Sequence, residues 1–507
     1  MGSLSSNNIR IAKNTVMLYI RMLFVLFVSL YTVRVVLNAL GAEEYGLYNV
    51  VGGVVVLFSF LTNTLATASQ RYFAYEIGRN DDKRLNLLFS LTFVLYISFA
   101  IIILVLAETL GLWFVVTQMT IPSGSMREAV IIYQFSVVSF IFSILTTPFQ
   151  ALIIAREKMG IYAIIGIIEA VLKLLVALTF VYLPINKLVA YGFLLLLSHL
   201  ITNSVYIFYC RYKYLSSRIN FYWNKAVAKE IIFYSGWNMY GGFANVLKSH
   251  GINILINIFF NTTINAARGI AFQISNAVNS FSSNFYTAVR PQITKNYAMG
   301  ERQSTLSLVF MSSKLSYFML MALSIPVLIL KNELLTWWLG DVPNYTEIFV
   351  FLVIINSLID SLSNPLMTLV QATGRVKLYQ SIVGTLILLN LPISYIFLFI
   401  GYEPEITMYV SIIISILLLI VRILVLRYLV SFPIKDYCLK IIVNVVCASV
   451  LAFFLCSILY NNITIDANSV VSLISNLFIH LVVTMSVIVL VGLSRNEIKS
   501  LISLLKR

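Results

Sequence analysis

Long apolar runs recur along almost the whole chain, and they constrain its fold more than any other feature. A chain that is 60% hydrophobic and 11% charged holds more apolar side chains than a soluble core could bury. An α-helix needs about 20 apolar residues to cross a ~30 Å hydrocarbon layer, and fourteen segments meet that length. The sequence therefore predicts an all-α polytopic membrane protein with about 14 transmembrane helices. The segments lie near 14–39, 45–68, 85–107, 129–154, 160–183, 188–210, 230–259, 265–289, 305–330, 348–372, 378–400, 406–430, 436–460 and 468–493.

The basic residues alternate between the loops, as the positive-inside rule requires of membrane proteins. Most of the 35 lysines and arginines fall in the loops on the side of the N-terminus, against Arg127, Lys187 and Lys331 on the other side. This bias predicts a multi-pass membrane protein with both termini in the cytoplasm. It also accounts for most of the net charge of +15, so we expect no nucleic-acid partner.

Motifs of soluble enzymes and metal sites are missing from the sequence. The four cysteines have no paired spacing, and no nucleotide-binding P-loop, HExxH or GxSxG motif occurs. We therefore expect no cofactor, no metal site and no enzymatic activity, and we expect the first apolar segment to be a membrane span rather than a cleaved signal peptide.

An internal repeat is visible between two segments, 147–164 and 364–381, which align without a gap at a shift of 217 residues. The alignment places the fourth apolar segment on the tenth, so a shift of six spans preserves orientation in the membrane. Parallel repeats of this kind build several transporter folds. The matched pairs are Pro148 with Pro365, Leu152 with Leu369, Ala155 with Ala372, Lys158 with Arg375 and Tyr162 with Tyr379.

The repeat predicts two six-helix lobes and an extension of two helices. The predicted N-terminal lobe is residues 1–220, and the predicted C-terminal lobe is residues 221–432. Residues 433–507 then supply two additional transmembrane helices and a cytoplasmic tail.

Charged residues lie inside the predicted spans, where an ion is costly and usually faces a cavity or a partner. Lys314 and Arg422 are near enough to the cytoplasmic surface to snorkel. Glu169 and Lys173 are four residues apart on one helix and can form an ion pair, or Glu169 and Asp360 can serve ion coupling. The intramembrane charges are Arg21, Arg34, Lys173, Lys248, Arg268, Lys314 and Arg422, with the acids Glu169 and Asp360.

Four of these cations, Arg21, Arg34, Lys248 and Arg268, have no obvious acidic partner. The repeat places Arg34 opposite Gly251, less than a turn from Lys248 and His250. Cations on both walls of a central cavity would concentrate anions, and phosphate oxygens suit guanidinium and ammonium groups. Two interpretations stay open for these residues: contact with an anionic substrate, or hydrogen bonds between helices.

The eighth segment carries many amides and hydroxyls for a lipid-facing helix. Asn276 and Asn279 are candidate substrate-binding residues, because Arg268, Ser275, Asn279 and Ser282 recur near helical spacing as one polar stripe. The alternative is that such side chains join neighbouring helices. His199 and His480 stand alone on apolar helices and are predicted to be structural.

Three stretches resemble a known family: "RVVLNALGAEEYGLYNVVGG" from residue 34, "RYFAYEIGRND" from residue 71, and the "GWN…GINILIN…NAARGIAFQ" run from residue 236. They are similar to the polysaccharide flippases, of O-antigen type, in the multidrug/oligosaccharidyl-lipid/polysaccharide (MOP) exporter superfamily. The resemblance implies a V-shaped pair of lobes of the MATE type that alternates between inward-open and outward-open states.

The resemblance also implies a cargo. Such a flippase moves an undecaprenyl-pyrophosphate-linked oligosaccharide, for O-antigen or capsule, from the cytoplasmic to the outer leaflet of the bacterial inner membrane. The residues that map to its basic cavity are Arg21, Arg34, Lys248 and Arg268. Its partners would be membrane lipids and other polysaccharide-assembly proteins, and Na⁺ or H⁺ coupling stays open. The alternatives are an ion-coupled drug or metabolite exporter of the same fold and a membrane-embedded polysaccharide polymerase or ligase.

Overall fold

The structure, a computed structural model, describes most of the chain. The described residues are 13–29, 31–32, 35–36, 39–40, 44, 47–48, 59–117, 125–184, 186–220, 223–260, 262–339, 342–462, 470–494 and 497, without the side chains at 59–61, 250, 257, 262–263 and 266. Within these ranges the regular structure is helical and no strand occurs. The predicted all-α class is therefore confirmed.

Long helices follow the order of the predicted spans. They are α1 (13–29), α2 (Ser59–Gly78), α3 (Asp82–Thr117), α4 (Met126–Ala155), α5 (Met159–Tyr182), α6 (Lys187–Lys213), α7 (Lys225–Phe259), α8 (Thr262–Ala298), α9 (Arg302–Ile329), α10 (Thr346–Thr373), α11 (Val376–Ile400), α12 (Ile406–Val430), α13 (Ile434–Asn462) and α14 (Val470–Gly492). A short helix, Lys331–Leu339, precedes α10.

Ten helices within the described ranges, α3 to α6 and α9 to α14, are long and apolar enough to cross a membrane. The chain is thus a multi-pass membrane protein. Helices α7 and α8 have sufficient length but are not among the ten, because their asparagines, serines, glycines and basic residues lower the mean hydropathy.

Two helices are longer than the apolar pattern predicts. Helix α2 runs ten residues past the predicted end at 68, as far as Gly78. Helix α3 continues beyond 107 through a π-helical turn, Ala107–Gly111, where the Tyr133 hydroxyl donates to the Ala107 carbonyl at 2.7 Å. Polar residues such as Glu108 made this stretch resemble a loop, yet a helix tolerates them where neighbouring side chains satisfy its freed carbonyls.

The described helices divide into two compact units that separate between Met239 and Tyr240, inside α7. We call residues 13–239 the N-unit and residues 240–507 the C-unit. The division falls about 20 residues after the predicted lobe boundary at 220. The two helices predicted as an extension, α13 and α14, pack against α9 and belong to the C-unit.

Helix packing follows the same pattern in both units. In the N-unit, α4 packs against α2, α3 and α6, and α5 packs on α6. In the C-unit, α10 packs against α8, α9 and α12, and α11 packs on α12. Each helix of the first set lies six helices before its counterpart, as a parallel repeat requires.

Backbone geometry at the helix ends repeats as well. Glu157, after α4, has φ 60°, and Gly374, after α10, has φ 76°; the two positions are 217 residues apart. Asn80, after α2, has φ 56°, and Gly300, after α8, has φ 77°. Left-handed residues of this kind close helix C-termini, so both turns of the N-unit recur in the C-unit.

Candidate functional site

Four charged residues from four helices form a cluster inside the C-unit. Lys248 comes from α7, Arg268 from α8, Asp360 from α10 and Arg422 from α12, and the last three all lie within electrostatic range of the Lys248 ammonium. We call these four residues the C-unit charge cluster. It combines three cations with one carboxylate.

Arg268 is held tightly but is not fully satisfied. Its side chain is 4% exposed, its Nη1 donates to Asn253 Oδ1 of α7, and its guanidinium lies 4.5 Å from the centre of the Phe272 ring. The buried Nε has no hydrogen-bond partner among the described residues. A buried charged donor of this kind is costly.

Arg422 does not snorkel to the membrane surface, contrary to expectation. It is 9% exposed, and its Nε donates to the Tyr379 hydroxyl of α11 at 3.0 Å. Its Nη1 is buried without a partner in the described part of the chain. Arg422 is therefore a functional candidate that the sequence missed, although Tyr379 had already appeared in the repeat.

Asp360 is half-buried and sits in a defined hydrogen-bond chain. Its Oδ2 accepts from Asn356 Nδ2 at 2.9 Å, and Asn356 Oδ1 accepts from Ser415 Oγ of α12 at 3.0 Å. The serine fixes the orientation of the amide, so an N–H of Asn356 must point at the carboxylate. The position of the Asp360 carboxylate is thus set by side chains of α10 and α12.

The polar stripe of α8 packs largely against α10. Ser275 Oγ lies 2.9 Å from Ser357 Oγ, and Asn279 Nδ2 donates to both hydroxyls at 3.0 Å. Ser282 is buried, whereas Asn276 is exposed. The alternative of polar contacts between helices therefore describes Ser275 and Asn279, and Asn276 is the freer of the two asparagines proposed for substrate.

Gly251 shows why one position of α7 requires a glycine. A Cβ at Gly251 would lie 2.6 Å from Leu391 Cδ2 of α11, closer than real contacts allow. Glycine thus lets α7 approach α11 closely within the C-unit.

The N-unit holds its own group of charges around α5. The Arg21 guanidinium of α1 lies 4.5 Å from the centre of the Tyr162 ring, and its buried Nε has no partner among the described residues. Arg21 also packs on Gly166, where an added Cβ would overlap its side chain. Gly166 therefore makes the space that the guanidinium occupies.

Glu169 and Lys173 form an ion pair on α5, with Lys173 Nζ 2.6 Å from Glu169 Oε1. Arg21 and His199 also lie within electrostatic range of the Glu169 carboxylate. We call Arg21, Glu169, Lys173 and His199 the N-unit charge cluster. Its carboxylate is paired with Lys173, and its cations exceed its acids by one, against two in the C-unit charge cluster.

Lys314 pairs with an acid and does not snorkel. The side chain of Lys314 on α9 is 6% exposed, and its Nζ lies 2.9 Å from Glu497 Oε2, beyond the end of α14. The same oxygen accepts the Ser494 backbone N–H at 2.6 Å. Lys314 thus connects α9 to the segment after α14 and is not a candidate for substrate.

Two proposed site residues cannot be placed. Arg34 lies outside the described residues, and His250 lies in α7 but its side chain is outside the description. Among the residues that the structure describes, no group of His, Cys, Asp and Glu could hold a metal ion.

An aromatic site around Arg71 was also missed. Arg71 on α2 lies 4.6 Å from the centre of the Tyr72 ring and 5.3 Å from those of Tyr75 and Tyr234. The charge pattern placed Arg71 in a loop, because α2 was predicted to end at 68. The interleaved tyrosines were the available signal, since arginine stacks favourably on aromatic faces.

Comparison with solved structures supplies the fold. The chain aligns with a MATE transporter in complex with MaD3S at a TM-score of 0.70 and 13% identity, covering 83% of this chain and 97% of that one. The chain has the MATE fold. The outward-facing conformation of a multidrug resistance MATE transporter of the MOP superfamily also gives 0.70 at 13% identity, over 84% and 96% of the two chains.

A third MATE-fold neighbour is a MOP superfamily transporter from Pyrococcus furiosus, whose binding pocket is described as having reverse polarity, suggesting a different function. It aligns at a TM-score of 0.69 and 13% identity over 84% of this chain and 96% of that one. No protein-family model and no curated protein matches the sequence significantly.

Proposed function

We propose that this protein is a transporter that moves an undecaprenyl-pyrophosphate-linked oligosaccharide from the cytoplasmic to the outer leaflet. The observation that carries this proposal is the excess of cations, two of them buried, in the C-unit charge cluster. Lys248, Arg268 and Arg422 face one carboxylate, Asp360, and both arginines keep a buried N–H without a partner among the described residues. Such a cluster is suited to an anion.

Pyrophosphate matches these groups chemically. Its oxygens accept charge-assisted hydrogen bonds from guanidinium groups, which are stronger than neutral ones. Arg268 and Arg422 are each held by one partner, Asn253 and Tyr379, so their remaining donors are oriented before the cargo arrives. Preorganised donors lower the cost of binding.

The sugar and the lipid set the rest of the mechanism. The hydration of the pyrophosphate would be replaced by these cations and by amides such as Asn276, while the polyprenyl tail stays in the bilayer. The cycle would be alternating access, without chemistry on the cargo, in the bacterial inner membrane with both termini cytoplasmic. Lipids and other polysaccharide-assembly proteins of the same membrane would be its partners.

A cation-coupled drug or metabolite exporter is the second candidate. The half-buried Asp360 and the likeness to a multidrug resistance transporter favour it. In that case Asp360 or Glu169 would bind the coupling ion or a cationic substrate. The excess of cations in the C-unit charge cluster would then have no role in binding. The pocket of reverse polarity in a transporter of the same fold supports the anionic alternative.

Translocation of lipid-linked oligosaccharide in proteoliposomes separates the two. We expect wild type to flip the lipid, and Lys248→Ala to slow it about ten- to a hundred-fold, since a hydrogen bond to a charged group contributes about 1.5–3 kcal/mol. Arg34→Ala tests the corresponding prediction for the first apolar segment of the sequence. The matched control is Lys213→Ala, which removes an exposed lysine at the end of α6 and should leave the rate unchanged.

Two results would reject the flippase. Wild type that moves no lipid-linked sugar but exports an organic cation would establish the exporter. Flipping that is unaffected by Lys248→Ala at equal protein levels would remove the cation cluster from the mechanism.

A further inference from the structure

Asp360, the acid in the C-unit charge cluster, has no role in binding an anion, yet hydrogen bonds fix its position there. Asp360 shares the electrostatic surroundings of Lys248 with Arg268 and Arg422. A carboxylate among three cations repels the cargo that the cations attract. Its presence therefore needs a separate explanation, and the role that we infer for Asp360 rests on the proposed function.

Local hydrogen bonds fix the position of the Asp360 side chain. Asn356 Nδ2 donates to its Oδ2 at 2.9 Å, and Ser415 Oγ holds the other end of the amide at 3.0 Å. The neighbour of Asn356 on α10, Ser357, is bonded to α8. Three helices thus fix the turn that carries the carboxylate.

The empty carrier poses the physical problem that such an acid can solve. Arg268 and Arg422 are at least nine-tenths buried, and each keeps an N–H that no described residue accepts. With cargo bound, the pyrophosphate balances these charges. Without cargo, the carrier must pass through its occluded state with cations that water no longer solvates, and buried charge without a counter-ion is strongly unfavourable.

We propose that Asp360 is the internal counter-anion of the C-unit charge cluster, which takes the place of the cargo phosphate when the carrier returns empty. The cargo competes with Asp360 for the cations on binding, and Asp360 neutralises part of the cluster after release. Asp360 is then a positioning and counter-charge residue and not a site for a coupling cation.

Two measurements on full-length Asp360→Asn test this role. The first is binding of inorganic pyrophosphate to the purified protein by calorimetry. Removal of a competing negative charge should tighten binding about ten-fold relative to wild type, because a like charge near the site weakens anion binding. Asp360→Glu keeps the charge and should bind as wild type does.

The second measurement compares net uptake with exchange, using a short-chain polyprenyl-pyrophosphate-linked sugar and vesicles that are either empty or preloaded with it. Net uptake requires the empty carrier to return, whereas exchange does not. We expect Asp360→Asn to lose at least ten-fold in net uptake and less than two-fold in exchange. Adding Lys248→Gln to Asp360→Asn restores the original net charge and should recover net uptake relative to exchange.

The outcomes separate this inference from the proposed function. Wild type that neither binds pyrophosphate nor moves the sugar overturns both. Wild type that is active, with Asp360→Asn that binds pyrophosphate no tighter, overturns the counter-anion alone. Equal loss of uptake and exchange in Asp360→Asn does the same and indicates a coupling-cation site or a structural role.

Discussion

The N-unit and the C-unit share a backbone plan and differ in how they treat buried charge. Helix α4 and helix α10 pack against corresponding neighbours in their units, and each is followed by a left-handed residue at the matched position, Glu157 or Gly374. In the N-unit the Glu169 carboxylate is bound by Lys173 at 2.6 Å. In the C-unit three cations, Lys248, Arg268 and Arg422, accompany one acid, Asp360, whereas two, Arg21 and Lys173, accompany Glu169 in the N-unit.

The equivalent tyrosines make the difference concrete. Tyr162 lies in the first turn of α5 and Tyr379 in the first turn of α11, at matched positions of the repeat. Tyr162 receives Arg21 from α1 over its ring, whereas the hydroxyl of Tyr379 accepts from Arg422 of α12. In each unit an arginine thus contacts the tyrosine at this equivalent position, but the two arginines come from helices that do not correspond. The repeat has kept the tyrosine and not the position of the arginine.

The largest expected effect is on the flipping rate, when one arginine in each unit, Arg422 or Arg21, is replaced by glutamine. Arg422→Gln should slow flipping about a hundred-fold, because it removes a charged donor to the cargo. Arg21→Gln should slow it less than ten-fold, since Glu169 already offsets the charge of Arg21. Proteoliposome flipping rates at equal protein levels measure both.

Arg422→Lys is the control, because it keeps the charge and loses the planar donors. A greater loss in Arg21→Gln than in Arg422→Gln would reverse the comparison and assign the cargo phosphate to the N-unit.

A packing change in the N-unit comes next. Gly166→Ala should destabilise the protein by about 1–3 kcal/mol, because the added methyl group overlaps the Arg21 side chain and overpacking costs about that much. Thermal unfolding in detergent measures it. Gly160→Ala on the same helix meets no atom within 4 Å and should be neutral or slightly stabilising, so equal effects of the two would show that Arg21 does not occupy this space.

Polar contacts in the C-unit should contribute less. Ser357→Ala removes the bonds to Ser275 and Asn279 of α8 and should cost about 0.6–1.7 kcal/mol, the range measured between membrane helices. Ser381→Ala is the control, since Ser381 Oγ bonds only within its own helix, to the Leu378 carbonyl at 3.1 Å. A thermal shift in Ser381→Ala as large as that in Ser357→Ala would contradict a role for the α8–α10 contact.

The smallest effect is a pH dependence of opposite sign in the two units. Burial of Glu76, in the last turn of α2 and beyond the predicted span, raises its pKa, although Arg84 at 3.2 Å opposes the shift. Burial also acts on Glu497, but the Ser494 N–H and the Lys314 ammonium outweigh it and hold its pKa below the usual value. The unfolded reference for both is about 4.3.

The signs follow from proton linkage. Glu76, with a raised folded pKa, contributes stability that is complete below the unfolded pKa and is lost as pH rises through the folded pKa. Glu497, with a lowered folded pKa, contributes stability that is present above the unfolded pKa and is lost as pH falls through the folded pKa. Between pH 7 and pH 4, the Tm of Glu76→Gln should therefore fall more steeply than that of wild type, and the Tm of Glu497→Gln less steeply. Slopes changed in the same direction by both substitutions would contradict this.

The sequence predicted the helices well because a membrane span has a length and composition that can be read locally. It also placed the repeat, since the Pro148 and Pro365 segments aligned without the structure. Arg268 and Lys248 could be singled out as intramembrane charges, because a charge in an apolar run is visible in a single chain, and their contact with substrate stays a prediction.

The rest of the site depends on contacts between distant segments. Lys314 and Glu497 are 183 residues apart, so a lysine near the membrane surface looked ready to snorkel. Arg422 was set aside for the same reason, because its partner Tyr379 lies on another helix. Serines such as Ser357 gave no signal, since a hydroxyl on an apolar helix is common and its partner on α8 cannot be read from spacing.

The left-handed residue after α4 and α10 has a consequence for tracing ancestry in other chains. One half of the molecule puts glutamate at this point and the other puts glycine, although a side chain there is strained. Backbone torsion has thus outlasted residue identity between the halves. Membrane proteins with an internal duplication whose halves no longer align by sequence should still be recognisable by matching backbone torsions at their helix ends.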